Sequence, residues 1–266
     1  YTLTVNASNG SVVLNPAGGS YASGTVVTLT ASGNSGFLFT SWSGDLSGGT
    51  NPTTITMDED KTVTANFAAG TSATVNLEAS EDTYMSSYNE TYNYGSVNLL
   101  KITNNSSGTN RGTLLKWDLS SIPSNAIVTG VTMTVYVSTA SSQTYNLYNM
   151  RRTWVEGTLT TGAASTTSAN WNTYDGVNSW GTVGAASTTL DRYGANLWSA
   201  GSTSFTTPLG SKIVSLNSDG MAVVQGWIAG TTTNYGLTMQ SYSTTSGSDD
   251  LQISSSEHGT NAGPTL

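Results

Sequence analysis

Seven acidic side chains carry most of the chemistry this chain could do: Glu81, Asp82, Asp118, Glu156, Asp175, Asp191 and Glu257. Two carboxylates about 5 Å apart can act as acid and nucleophile on a glycosidic bond, and the candidates for such a pair are Asp82, Asp118, Glu156, Asp175 and Asp191. Sequence does not fix the distance between any two of them, and capping turns or neutralising Arg111, Arg151 and Arg152 is the ordinary use of such groups. Carboxylates also hold calcium, a hard cation that takes oxygen ligands. Glu81, Asp82 and Glu257 lie near the first and last expected strands of the second half of the chain. They are the expected ligands of a structural calcium ion, with solvated acids as the alternative. The single histidine, His258, sits in a Gly- and Ser-rich stretch, and a Ser-His-Asp arrangement is not expected there.

Aromatic side chains and arginines form a second group. Trp171, Tyr174, Trp180, Tyr193 and Trp198 fall in a stretch rich in small residues between 158 and 207, beside Asn170, Asn172 and Asn178. Flat rings flanked by amides suit the apolar C–H faces and hydroxyl rim of a pyranose. Core packing is the alternative, most of all for Trp117, Trp154 and Trp227. Arg151 and Arg152 offer two guanidinium forks that could grip sugar carboxylates.

These residues must be positioned by β-structure. Leu115, Trp117 and Leu119 alternate along one segment. Val131, Met133, Val135 and Val137 alternate along the next, opposite Thr132, Thr134 and Tyr136, with an Ile-Pro connection between. Further strands are expected near 75–77, 97–102, 145–150, 212–216, 237–240 and 251–253. Residues 1–68 alternate similarly, with Asn9-Gly10 as a tight-turn signal. One helix is expected around Met221, Val224, Trp227 and Ile228, capped by Ser218 or Asp219 and ended by Gly230. The fold class is all-β: a small β domain at 1–68, a seam near 68–72, then a jelly-roll sandwich with one short helix at 73–266.

Composition narrows the partners. Only 9% of the 266 residues are charged, against about 25% in soluble domains, and the net charge is −8, which opposes nucleic acid and anionic membranes. There is no cysteine, so disulfides and thiolate metal sites are excluded. No apolar run approaches the roughly 18 residues of a membrane span, and no membrane insertion is expected. Without an initiator Met, the chain is expected to be the ordered part of a longer secreted precursor.

The run RGTLLKWDLSSIP at 111–123 resembles the core signature of the DNRLRE family, the family-96 carbohydrate-binding modules. Collinear elements extend the resemblance: Glu81-Asp82-Thr83-Tyr84, Asn93-Tyr94-Gly95, Trp154-Val155-Glu156, the block from Asn170 to Gly176 with Ser179-Trp180 and Gly184-Ala185, Asp191, Asn234-Tyr235-Gly236-Leu237 and Ser255-Ser256-Glu257. The family's closing strand would begin at Pro264-Thr265-Leu266. Residues 1–68 resemble the divergent internalin-type B repeats through Asn15-Pro16, Ser20-Tyr21, the Gly24 to Leu29 run, Trp42-Ser43-Gly44-Asp45 and the Thr62 to Phe67 run.

Together the two resemblances imply a secreted or surface-displayed, non-enzymatic adhesion protein, with a spacer repeat followed by a polysaccharide-binding module. The sheet is expected to lack its final strand. It could therefore capture one from another copy, which makes a filament subunit assembled end to end the alternative function. A glycan-cleaving enzyme is the third.

Overall fold

The computed structural model describes residues 1–266 except 35, 71, 106–107, 161–162, 200–203, 207 and 243–247. The chain is all-β and sandwich-like with one short helix, and it divides into two compact units, Tyr1–Val75 and Asn76–Leu266.

The first unit contains β1 (Leu3–Ala7), β2 (Gly10–Asn15), β3 (Thr25–Gly33), β4 (Phe37–Gly44), β5 (Thr53–Met57) and β6 (Lys61–Ala69). They form two three-stranded sheets, β1-β6-β4 and β2-β3-β5. Asn9 does adopt a left-handed φ of 66°. The strands it joins lie in different sheets, however, so the Asn9-Gly10 turn is a crossing between layers and not a hairpin. Period-two alternation sends Leu3, Val27, Leu29, Trp42, Met57 and Val63 into one small core. The acidic triplet is absorbed locally: Asp58 and Glu59 pair with Lys61, and Asp60 accepts the Thr2 N–H.

The second unit contains β7 (Glu81–Ser86), β8 (Tyr92–Asn93), β9 (Leu99–Asn105), β10 (Arg111–Lys116), β11 (Thr132–Thr139), β12 (Ser141–Thr144), β13 (Asn146–Asn149), β14 (Ala163–Ala164), β15 (Ser204–Phe205), β16 (Gly210–Ser215), α1 (Ser218–Ile228), β17 (Leu237–Gln240) and β18 (Ser248–Ser254). The main sheet runs β13-β17-β10-β9-β18-β11-β16, and β7 also pairs with β10. It curls so that two halves face one another. They are joined through the Arg111↔Thr103 pair, where the Arg111 guanidinium bonds Thr103 and Asp250. Between the halves lies the main core of Leu100, Leu115, Trp117, Met133, Leu147 and Ile253, with Trp227 of α1 beside them. Trp117 donates its indole N–H to the Pro264 carbonyl, and Thr265 exchanges backbone bonds with Thr134.

The helix lies where its three-and-four spacing puts it, and Gly230 with φ +68 follows its end. Its N-cap is Asn217, one residue before the predicted pair, accepting from the Gly220 N–H at 2.9 Å. Gln225 ties the helix to the Ile-Pro connection, donating to the Ala126 carbonyl and accepting from the Val128 N–H.

Candidate functional site

The acidic site is assembled from three stretches far apart in sequence. β7 opens with Glu81 and Asp82, whose side chains alternate to opposite faces. Glu81 pairs with Lys116 at 2.5 Å, its register partner on β10. Glu81 is thus engaged by Lys116, while Asp82 is buried. The Asp82 N–H donates to Glu156 Oε1 at 2.5 Å, and Asp82 Oδ2 accepts the Ser256 N–H at 2.7 Å. Ser256 Oγ donates to Glu257 Oε1 at 2.9 Å. Asp82, Glu156 and Glu257 thus each place a carboxylate oxygen within 4.8 Å of the others.

Glu156 is held by its own loop. Buried Asn93 donates through Nδ2 to the carbonyls of Glu156 and Ala169, and its Oδ1 accepts the Gly95 N–H. Gly157 has φ +86, and a Cβ there would lie 2.3 Å from Asn93 Oδ1, so only glycine fits against this anchor. Burial, followed by the nearby Glu257 charge, pushes the Asp82 carboxyl up to about 7. Burial and the charges of Glu257, Asp82 and Glu81 do the same to Glu156. An oxygen spacing of this kind is also that of a hydrolytic pair. Yet Asp82 is only 1% exposed, and its free Oδ1 is sealed from solvent without a hydrogen-bond partner. An oxygen so placed suits a cation better than proton transfer to a substrate. His258 spends Nδ1 accepting the N–H of Asn261.

The segment after β13 wraps the outer face of the β7-β10-β17 half. Trp171, Trp180 and Trp198 are 6%, 5% and 3% exposed. Trp171 and Trp180 join Met85, Leu114, Met150 and Trp154 in a second core, and Trp198 belongs to the main one. Trp171 packs on Tyr242, and a Cβ at Gly184 would come 2.6 Å from its ring. Trp180 donates to the Asn170 carbonyl and meets Tyr174 edge-on. Rings so enclosed are packed into the two cores. The apolar content of these rings serves packing.

The other predicted residues stand at one edge of the sheet. Here 149–151 and 191–193 run antiparallel, with Met150 bridged to Arg192. Arg151 lies over Tyr193 at 4.1 Å, Arg152 over Tyr174 at 4.7 Å and Arg192 over Tyr148 at 3.7 Å. Tyr193 is 45% exposed, Tyr174 half-buried. Buried Asp191 anchors the turn by accepting the N–H groups of Gly181, Thr182 and Ser187, and lies 3.6 Å from Arg152. Among the described residues, neither Arg151 nor Arg192 is ion-paired.

The matched families account for this arrangement of motifs. Residues 73–188 match carbohydrate-binding module family 96. Residues 1–71 match the divergent InlB B-repeat domain, in the order the motifs imply. No curated protein matches the chain. Within the family-96 span, the motif residues divide by task. Asn93 and Gly95 hold the Trp-x-Glu loop, Trp171 and Trp180 fill the second core, and Asp82 and Glu156 converge on the acidic site. Glu257, from beyond that span, completes the trio. Sequence reasoning missed two functional candidates, Glu156 as a ligand and Arg192 as the third stacked arginine. Both adjoin recognised elements, Glu156 as the acid of Trp-x-Glu and Arg192 as the residue after Asp191.

Proposed function

We propose that this chain is a secreted or surface-displayed adhesion protein whose second unit binds polysaccharide and whose first unit serves as a spacer, without catalytic turnover. The family-96 and B-repeat matches support this reading. The observation that carries it to particular residues is the arginine–tyrosine edge. Three of the chain's eight basic residues, Arg151, Arg152 and Arg192, stack on Tyr193, Tyr174 and Tyr148 in a chain of net charge −8. A guanidinium carries five N–H donors, and among the described residues Arg151, Arg152 and Arg192 each direct only one or two of theirs to protein acceptors, which suits a glycan bearing carboxylates or dense hydroxyls. The Asp82–Glu156–Glu257 trio we assign to calcium, since oxygens within 4.8 Å of one another match opposed ligands at 2.3–2.6 Å from one ion. Affinity-gel retardation across neutral and acidic polysaccharides tests the binding. Retardation lost in an Arg151→Ala/Arg192→Ala double variant of unchanged melting temperature supports the reading, and retardation by no polysaccharide defeats it.

One observation favours a second reading, assembly of copies end to end. Strand β16 closes one side of the main sheet path and carries Ile213 at 71% exposure, with exposed Leu209 just before it. Exposed apolar residues on an edge strand invite pairing with another chain.

A further inference from the structure

The three ligands differ in burial in a way that a purely structural staple would not need. Asp82 is buried, Glu156 half-buried and Glu257 exposed, so the site has a sealed floor and an open rim. The floor supplies an oxygen with nothing else to bind, because Asp82 Oδ1 is buried without a partner while Oδ2 is taken by Ser256. Glu156 also forms part of the wall of a cleft of about 800 Å³, together with Glu81, Lys116, Thr158, Ser165 and Thr167. A cleft of that size accommodates one or more sugar rings. Its hydroxyls and the Lys116–Glu81 ion pair supply polar groups that can orient a sugar.

Calcium takes six to eight oxygens, and three carboxylates supply between three and six of them. We propose that the cation held by Asp82, Glu156 and Glu257 keeps coordination positions open toward this cleft and fills them with paired oxygens of a saccharide, so that the metal is itself part of the glycan site. The inference rests on the calcium and polysaccharide readings above and adds a second contact region to the arginine–tyrosine edge. Such a metal contributes twice. It offsets most of the charge of three clustered carboxylates, and it offers the ligand a Lewis-acidic cation in an otherwise acidic protein. Exposed Glu257 leaves one side of the site facing solvent, where positions beyond those the three carboxylates fill are available.

The test uses the full chain with Eu³⁺ as a luminescent stand-in for calcium. We expect Eu³⁺ to bind, to be displaced by calcium, and to retain two or more inner-sphere waters as counted from luminescence lifetimes in H₂O and D₂O. Adding millimolar galacturonate or mannose should remove at least one of those waters. Glu156→Gln and Glu257→Gln should each weaken Eu³⁺ binding at least tenfold while circular dichroism stays unchanged. A bound ion with no more than one water marks a closed structural site and overturns the proposal. So do waters that neither sugar displaces, and so does a chain that binds neither Eu³⁺ nor calcium. These outcomes are separate from gel retardation by the Arg151 and Arg192 variants. Retardation that persists unchanged in EDTA removes the metal from the glycan site and leaves polysaccharide binding standing.

Discussion

The backbone N–H of Asp82 donates to Oε1 of Glu156 across 74 residues of sequence, at 2.5 Å. This bond fixes the start of β7 against the Trp-x-Glu loop, and the Ser256 N–H on Asp82 Oδ2 brings in the turn after β18. Removing the Glu156 charge alone should therefore spare the fold, since the amide of Glu156→Gln still accepts the Asp82 N–H. Removing the acceptor leaves that N–H unpaired, at a cost of about 1–3 kcal/mol. We expect Glu156→Ala to be less stable than Glu156→Gln by that order in urea denaturation without metal. Equal stabilities would show that the bond contributes nothing.

Without a cation the same carboxylates make stability depend on pH. Asp82 and Glu156 titrate near 7 in the folded chain, against 3.8 and 4.5 as ordinary values. Between those limits the native state binds more protons than the unfolded one. The stabilisation they give is thus complete below about pH 4 and lost as pH rises through 7. In EDTA the melting temperature should fall between pH 5 and pH 8, and calcium should reverse the fall at pH 8. Exposed Asp58 and Asp118 and half-buried Asp175, whose carboxyls are held low by hydrogen bonds, act in the opposite sense only at more acid pH. A melting temperature in EDTA that rises from pH 5 to pH 8 contradicts the assignment.

Buried Asp191 organises the turn that carries Arg192 and Tyr193. It accepts three backbone N–H groups and faces Arg152, so Asp191→Ala leaves several donors unpaired at once. We expect a loss of about 3–5 kcal/mol, the range for breaking a buried charged network. Retardation should weaken together with stability. A variant as stable as the parent would mean that the turn is held by other contacts.

How much of this was legible depends on which residues face which layer. β11 could be read directly, because Met133, Val135 and Val137 alternate with partly exposed Thr134 and Tyr136. β7 could not, because Asp82 to Ser86 is buried on both faces and shows no period of two. The trio was half legible. Asp82 and Glu257 were expected from their nearness to the ends of the second unit, but Glu156 enters through Asn93 and Gly157, long-range contacts that no local pattern encodes. Glu81 was expected beside Asp82, but adjacent strand residues point to opposite faces, and Glu81 meets Lys116 while Asp82 meets Glu156 and Ser256. The packing of the tryptophans was not legible, because asparagine-flanked rings look alike in sequence whether they stack on sugar or on Tyr242. Only the approach of Gly184 to Trp171 distinguishes the two.

Ile213 supplies a test of self-association. It stands on β16 opposite Thr134, with Lys212 beside it as the charge that edge strands commonly carry against unwanted pairing. If copies meet at this edge, Ile213→Lys should shift any concentration-dependent assembly to the monomer in light scattering, with melting temperature unchanged because the side chain is exposed. Identical scattering from parent and variant removes this edge from any assembly.

The sharpest contrast lies between Trp171 and the arginine pair. Trp171 fills the second core, so Trp171→Ala should cost about 3–5 kcal/mol through cavity formation and lost burial. Any loss of retardation should then track the fraction unfolded and return when folding is restored by lower temperature or a stabilising osmolyte. Arg151 and Arg192 lie over exposed or partly exposed rings and bond backbone carbonyls and Gln240, so their replacement by alanine should leave stability within about 1 kcal/mol. Their effect on retardation should persist under every condition in which the chain is folded. If instead a fully folded Trp171→Ala loses retardation while the double arginine variant keeps it, a ring now buried in the core must open to meet the glycan, and the arginine–tyrosine edge is not the binding face.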